Sequence, residues 1–263
     1  MKNKSLSCVP CFSWFHFPEN CCVNQRIGKV LFAENGPLTP ADRQTFKNEI
    51  EEAVCVYVLK PDNAYLNLWA DGEHGYDCLA VIEITLRKTG KAERIAELFH
   101  RTMPYPLLLV LKHETHEECE KRGIMFSMAE KRFSRNGREQ VVIEHMVNTP
   151  WRQDSGLEAF YAEADYAKFC KTTFRELYKH YMNLLEALNC SLITGKLHVT
   201  GIDPEVRRKL LAKFHQLEQD LLGLKTRAKR ESEMAQLIEL NMQAGKIKNE
   251  LHEIRRKLSE NHG

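Results

Sequence analysis

The stretch Cys78-Leu79-Ala80-Val81-Ile82-Glu83-Ile84-Thr85-Leu86-Arg87-Lys88 decides the fold of this chain. It is apolar at first and then alternates between apolar and polar residues. The apolar side holds Ile82, Ile84 and Leu86. The polar side holds Glu83, Thr85 and Arg87. Alternation with a period of two in a β-branched run predicts a strand with one buried face. The polar row is therefore the best candidate for a functional site.

A helical stretch and a second apolar run follow this strand. Residues Ala92 to Thr102 carry Ile95, Leu98 and Phe99 on one stripe, which is typical of an amphipathic helix. Leu107 to Leu111 is apolar throughout, which predicts a strand covered on both faces. Strand, helix and strand would form a right-handed βαβ unit at the centre of a sheet.

The residues before this unit predict a helix and more strands. Thr39-Pro40 starts a helix that runs to about Ala53, and Val54 to Leu59 is β-prone. Tyr65 to Ala70 alternates as a strand, and the loop Asp71 to Gly75 leads into the central strand. We therefore predict an α/β fold with a mixed sheet flanked by helices, which is compatible with a restriction-endonuclease-like core.

The residues after the unit complete the sheet and then become helical. Asn136-Gly137 predicts a hairpin between two further strands. The run from Leu157 to about Leu188 has a helical period, and we expect its aromatic residues to pack rather than to stack on bases. The chain thus divides into an irregular segment 1–20, an α/β domain 21–152, a helical segment 153–190 that packs on it, and helices over 204–263.

Two heptad runs over residues 204–263 predict a coiled-coil appendage. The first run has Leu210, Phe214, Leu217, Leu221 and Leu224, and the second has Leu237, Leu240, Ala244, Ile247, Leu251, Ile254 and Leu258. The runs are out of phase, so we expect a bend near residues 225–233. The helices then either fold back as a hairpin or present a seam to another chain. Lys225, Arg227, Lys229 and Arg230 cluster at the bend, either as a solvated turn or as a phosphate-binding tip.

Composition limits the function classes. The chain has 263 residues and a formal net charge of +2, so it lacks the global basic field of many autonomous nucleic-acid binders. No apolar run approaches the roughly 20 residues needed to cross a bilayer, and we predict neither a signal peptide nor a membrane contact. The nine cysteines are scattered, which favours a reducing cytoplasm over a disulfide framework.

Two clusters contain metal-ligand residue types in unsuitable arrangements. Cys8 and Cys11 lack a second spaced pair, because the adjacent side chains of Cys21-Cys22 diverge. His113, His116 and Cys119 lie in an acidic segment without the order of a His-Glu-x-x-His helix. We therefore predict no structural metal and no cofactor, apart from Mg²⁺ if the protein is a nuclease.

Several motifs resemble a prokaryotic family of unknown function, number 4391 in domain catalogues. The resemblance lies in Phe17-Pro18-Glu19-Asn20, Val23 to Lys29, the Glu83 to Arg87 strand, Met103-Pro104-Tyr105-Pro106 and Ile238-Glu239-Leu240-Asn241. It runs in order over nearly the whole chain. Members of that family are often encoded beside superfamily-two helicases and DNA methyltransferases in restriction-like or phage-defence clusters. The resemblance implies a DNA-linked defence role, but it supplies no catalytic residues.

The first hypothesis for function is a non-catalytic accessory subunit. The chain lacks a phosphate loop, a nucleophile elbow and a zinc-protease helix, and its tail is a dedicated interaction element. We expect a helicase or methyltransferase partner, self-association through residues 204–263 and a cytoplasmic location.

A further hypothesis, the third beside the nuclease described next, is an oligomeric scaffold that has no salt-dependent affinity for DNA.

The second hypothesis is a Mg²⁺-dependent DNA nuclease. The resemblance implies an acid–x–lysine pair at Thr85 and Arg87, and this chain departs from it at both positions. Threonine carries no charge for Mg²⁺, and arginine differs from lysine in geometry. Glu83 remains as a ligand with Asp77 or Asp62, or else Glu83 and Arg87 form a polar ladder.

Overall fold

A computed structural model describes residues 15–28, 38–113, 123–134, 137–153, 156–169 and 172–260. The predictions for Cys8, Cys11, His116 and Cys119 fall outside these residues. The chain divides into two compact units, residues 1–185 and residues 186–263.

A mixed sheet forms the centre of the first unit. The described strands are β1 (Cys22–Arg26), β2 (Ile50–Leu59), β3 (Trp69–Ala70), β4 (Gly75–Tyr76), β5 (Leu79–Leu86), β6 (Leu107–His113), β7 (Gly123–Ser134), β8 (Gly137–Asn148) and β9 (Arg152–Gln153). The main sheet has the order β1-β2-β5-β6-β7-β8, with β9 paired to β7, while β3 and β4 form a separate hairpin. The β5–β6 pair is parallel and the other pairs are antiparallel. The predicted α/β class with a mixed sheet is confirmed.

Helices flank this sheet and form the second unit. The described helices are α1 (Pro40–Glu49), α2 (Pro61–Ala64), α3 (Ala92–Thr102), α4 (Glu158–Ala164), α5 (Phe174–Thr194), α6 (Pro204–Ala228) and α7 (Met234–Ser259). Short 3₁₀ turns lie at Glu19–Cys21 and Tyr166–Lys168. No described helix is long and apolar enough to cross a membrane.

Helix α1 begins at the capping box that its sequence predicts. The Asp42 amide donates to Thr39 Oγ1 at 3.2 Å, and the Thr39 amide donates to Asp42 Oδ2 at 3.3 Å. Arg94 of α3 donates to both Asp42 oxygens and holds the pKa of that carboxyl at about 2. The prediction that α1 runs to Ala53 is wrong. The helix ends at Glu49, because residues 50–53 already pair with β5 as part of β2.

The central strand β5 is buried as its alternation predicts. Ile82, Ile84 and Leu86 enter one apolar core with residues from α1, α3, β2 and β6. Every residue of Leu107–Leu111 is at most 3% exposed, so both faces of β6 are covered. With α3 between two parallel strands, the βαβ unit is present.

Two other predictions of secondary structure are wrong. The strand expected over Tyr65–Ala70 is only Trp69–Ala70, and the loop after it leads to β4 rather than to the central strand. The single helix expected over Leu157–Leu188 is interrupted, because Asp165 accepts a bond from the Ala167 amide at 2.8 Å and starts a 3₁₀ turn. Phe160, Phe174 and Tyr178 are buried in the core, as their packing role requires.

The second unit is a helical hairpin with a small core at its base. Helices α6 and α7 are joined at residues 229–233, which agrees with the predicted bend, and Lys213 pairs with Glu250 between them at 3.1 Å. The core at the base consists of Cys190, Leu211, Phe214, Ile254 and Leu258. Buried Arg207 donates to the carbonyls of His198 and Val199 at 2.9 and 3.0 Å, which ties the preceding segment to α6.

Candidate functional site

The polar face of the sheet lies at the carboxyl end of the parallel β5–β6 pair. Thr85 of β5 is opposite Lys112 of β6 and also opposite Glu52 of β2. Opposed residues share a face, so Glu83, Thr85, Lys112 and Glu52 lie on the same side of the sheet. The structure thus adds two charged residues to the row that the sequence singled out.

Glu83 and Lys112 form an ion pair through Oε2 and Nζ. Their side chains are only 12% and 9% exposed. Buried charges of this kind are kept when they are paired and hydrogen-bonded. Lys112 follows the apolar run Leu107–Leu111 directly, and its pairing with Glu83 could not be predicted, because the register of two parallel strands cannot be inferred from one sequence.

Glu52 brings a second carboxylate to this face. Its Oε1 lies 3.3 Å from Nε of Arg26 on the edge strand β1. Cβ atoms directly opposite in a sheet are about 5 Å apart and diagonal ones about 7–8 Å. Thr85 is therefore the neighbour of Glu52, while Glu83 is diagonal to it.

Arg87 is directed at helix α1 instead of at Glu83. Its Nη1 donates to the carbonyls of Lys47, Asn48 and Ile50 at 3.3, 3.2 and 2.9 Å. These carbonyls lie at the carboxyl end of α1, where a cation is favourable. Arg87 thus caps a helix at its junction with the sheet.

The acidic candidates Asp77 and Asp62 lie at the other end of the sheet. Asp77 is exposed and precedes β5, six residues before Glu83, which corresponds to about 20 Å along a strand. Asp62 lies in α2, beyond the end of β2 that pairs with Leu79. Neither carboxylate joins Glu83.

The polar face does not fit a Mg²⁺ site as it is arranged. Within the described residues, no three His, Cys, Asp or Glu side chains are grouped so that they could hold a metal ion. The Lys112 ammonium already occupies one Glu83 oxygen, and Arg26 lies against Glu52. A cation bound by both carboxylates would have to displace Lys112 and Arg26.

A second row of buried polar groups lies along β7 beneath α3. His100 Nε2 is 3.0 Å from Ser127 Oγ, and burial lowers the pKa of His100 well below its usual value. Lys131 Nζ donates to the carbonyls of Met103 and Tyr105 at 2.8 and 2.6 Å, and burial lowers its pKa to about 7. Burial also raises the pKa of the nearby Cys78 thiol to about 12, so this cysteine is not an activated nucleophile.

The basic residues of the tail lie at the tip of the hairpin. Lys225 and Arg227 belong to the last turn of α6, and Lys229 and Arg230 follow it; all are exposed. Cations are favourable at a helix carboxyl end, which gives these residues a structural role as well.

Helix α7 carries a second apolar stripe that faces solvent. Met234, Ile238 and Met242 are 70%, 55% and 61% exposed, and their spacing of four residues puts them on one side of the helix. The other side packs against α6 through Leu240, Ile254 and Leu258. A helix with apolar residues on two sides is typically packed on two sides.

Comparison with known proteins identifies the family of the chain. No curated protein and no solved structure matches the chain. The profile of one family, described as Domain of unknown function (DUF4391), matches residues 15–251 of the 263. Since that match covers the sheet, its flanking helices and most of the hairpin, the chain belongs to the DUF4391 family.

Proposed function

We propose that this protein is a non-catalytic assembly subunit of a DNA-directed restriction or phage-defence system. The observation that carries the proposal is the solvent-facing stripe of Met234, Ile238 and Met242 on α7. The α/β unit supports it, because the charged side chains on its polar face are already engaged in ion pairs. The family resemblance supplies the expected setting, beside helicases and DNA methyltransferases.

The helical hairpin would supply the contact with the partner. Contiguous exposed apolar surface on a helix is a typical docking element, and an amphipathic helix is read by residues spaced three or four apart. The partner would be a superfamily-two helicase or a DNA methyltransferase. Self-association through residues 204–263, as a coiled coil or a four-helix arrangement, would use the same stripe.

Light scattering on the purified full chain, alone and mixed with a helicase or methyltransferase encoded beside its gene, tests this proposal. The expected result is a mass equal to the sum of both chains in the mixture. A dimer mass without the second protein would support self-association. A monomer mass in both samples would contradict both uses of the stripe.

A cytoplasmic nuclease is the second candidate, and one observation favours it. The family motif has an acid at position 85 and a lysine at position 87, where this chain has Thr85 and Arg87. Lys112 from the neighbouring strand nevertheless places a lysine beside Glu83. Linear and single-stranded DNA would be incubated with the protein and Mg²⁺ or Mn²⁺, beside a Glu83→Gln variant whose folding is checked by circular dichroism. Cleavage by the wild type alone would establish the nuclease and overturn the assembly proposal.

The basic tip gives the proposed contact with DNA a separate test. We expect Lys225, Arg227, Lys229 and Arg230 to contact phosphates. Four such contacts predict that affinity falls about a hundredfold between 50 and 200 mM salt. Replacement of all four by Gln should remove most of this dependence, measured by fluorescence anisotropy. If the wild type bound DNA independently of salt, or did not bind it, the remaining hypothesis would be an oligomeric scaffold that has no nucleic-acid role.

A further inference from the structure

A groove lies between helices α6 and α7, near the turn that joins them. It has a volume of about 320 Å³. Leu222, Lys225 and Lys229 line it from α6, and their spacing of three and four residues puts them on one side of that helix. Leu240 and Asn241 line it from α7. Because both helices contribute, the groove is a concave surface along the hairpin and not the face of a single helix.

Apolar side chains form the base of this groove and extend its edges. Leu240 is 6% exposed, whereas Leu222 on the α6 side is 66% exposed. Met234 precedes Asn241 by seven residues, which places it on the same side of α7 about two turns closer to the tip. Ile238 lies about 60° further around the helix than Asn241. The solvent-facing stripe of α7 therefore continues one wall of the groove, and Leu222 adds exposed apolar surface at the other.

The charges at the groove have a single sign. Among the described residues that line it, Lys225 and Lys229 are charged and no carboxylate is present. Both lysines are exposed, and neither forms an ion pair with a described residue. The groove on the other side of the hairpin differs, because Asp220 and Glu250 line it together with Arg227. A molecule that is complementary to the first groove would bring negative charge.

A second copy of the hairpin would not supply this negative charge. In a two-fold dimer, the same surface patch lies on both subunits. Lys225 and Lys229 would then lie close to the same two lysines of the second copy, and juxtaposed like charges disfavour a complex. The lysines lie on the α6 wall only, and their spacing is four residues. A helix with acidic residues four apart along one flank would match them.

We propose that this groove is the docking site for one acidic amphipathic helix of the partner, which would lie along the hairpin as a third helix. The inference rests on the proposed assembly function and specifies the chemistry of the partner. Apolar residues of the docked helix, spaced three or four apart, would contact Leu222, Leu240 and Ile238. Carboxylates along one flank would pair with Lys225 and Lys229.

Selection from a displayed library of helical peptides, each about four turns long, tests the proposed chemistry. Leucines are kept along one face of every peptide, and the flanking positions vary among Glu, Gln and Lys. The purified full chain is the bait, and the Leu222→Gln variant removes peptides that bind elsewhere. We expect enrichment of Glu at positions four residues apart along one flank.

Fluorescence anisotropy then measures the affinity of an enriched peptide and of its Glu-to-Lys counterpart. Lys225→Glu/Lys229→Glu should weaken the acidic peptide about tenfold or more, because two attractive contacts become repulsive, and should favour the basic counterpart. Leu222→Gln should weaken the acidic peptide about tenfold. Lys246→Glu is the matched control, since Lys246 lines the groove on the other side of the hairpin, and it should bind as the wild type does. Circular dichroism checks the folding of each variant.

Three results would overturn the inference. The first is enrichment of neutral or basic peptides, or of none over the Leu222→Gln bait. The second is equal affinity of the acidic peptide for the wild type and for Lys225→Glu/Lys229→Glu. The third is binding of single-stranded DNA and of no peptide, which would assign these lysines to phosphate contacts alone.

The full-length helicase or methyltransferase separates this inference from the proposed function. If it binds the wild type and Lys225→Glu/Lys229→Glu with equal affinity, the groove is not the docking site, and the assembly function stands. If it does not bind the wild type although the acidic peptide does, the proposed partner is wrong, and the acidic-helix site stands.

Discussion

At Glu83 and Lys112, two charges are held beneath the surface of the sheet. Removal of one partner leaves an uncompensated charge, which typically costs 3–5 kcal/mol, whereas apolar replacement of both is often neutral. We therefore expect Lys112→Met to lower the free energy of unfolding by about 3 kcal/mol. The double variant Glu83→Met/Lys112→Met should lie within about 1 kcal/mol of the wild type.

Urea titration followed by circular dichroism measures both variants. Lys88→Met, at an exposed position beyond the same strand, serves as the control and should change stability by less than about 0.5 kcal/mol. If Lys112→Met were as harmless as Lys88→Met, the Glu83–Lys112 pair would have no structural importance.

Lys131 makes stability depend on pH in a defined direction. Its pKa falls from 10.5 to about 7 on folding, so the unfolded chain binds a proton that the folded chain lacks between these values. Stability therefore rises with pH above 7, by about 1 kcal/mol per pH unit near pH 8. In Lys131→Met this contribution disappears. Urea midpoints between pH 7 and pH 8.5 give the slope of stability against pH for the wild type and for Lys131→Met. Equal slopes in the two proteins would contradict the contribution of Lys131.

At the scale of single elements, Arg87 connects the central strand to α1. Its guanidinium caps three carbonyls at the end of that helix. We expect Arg87→Ala to cost about 1 kcal/mol and to speed hydrogen exchange in the last turn of α1, residues 46–49. Lys88→Ala should leave that turn protected. Equal exchange in the two variants would show that the cap is not needed.

The central elements could be predicted from sequence because their patterns have one solution. Alternation indicated the buried face of residues 82–86, and the five-residue apolar run at 107–111, too short for a typical helix, favoured a covered strand. The end of α1 was missed because Ile50 and Ala53, three residues apart, fit one helical face, whereas in β2 a register shift between Ile50 and Glu52 lets both residues enter the same core. Pairing with β5 decides between the two, and that contact is not local.

The candidate site was predictable only in part, for the same reason. Glu83 could be found from the strand pattern, but its partner Lys112 depends on the register of β5 against β6. The alternation predicts that Arg87 lies on the same face of the strand as Glu83. The carbonyls that accept its hydrogen bonds, however, lie at the end of a helix about 40 residues earlier in the chain. A single sequence contains no signal for such long-range pairings.

At the scale of the whole molecule, each of the two units has a distinct role in the proposal. In the α/β unit, Glu83 forms a buried ion pair with Lys112, and Glu52 forms an exposed one with Arg26. The helical unit has a small core of Cys190, Leu211, Phe214, Ile254 and Leu258, while α7 leaves Met234, Ile238 and Met242 exposed. The first unit would therefore serve as a stable platform, and the second would provide the contact with another protein.

The affinity of the full chain for the helicase or methyltransferase proposed as its partner, measured by calorimetry with Ile238→Glu beside the wild type, tests this proposal most directly. Gln243→Glu is the matched control, because it adds the same charge at an exposed position roughly 140° around α7 from Ile238. We predict that Ile238→Glu weakens binding tenfold or more, with an unchanged urea midpoint, and that Gln243→Glu binds as the wild type does. Equal affinity of Ile238→Glu and the wild type, or no binding by either, would contradict an assembly role for the hairpin.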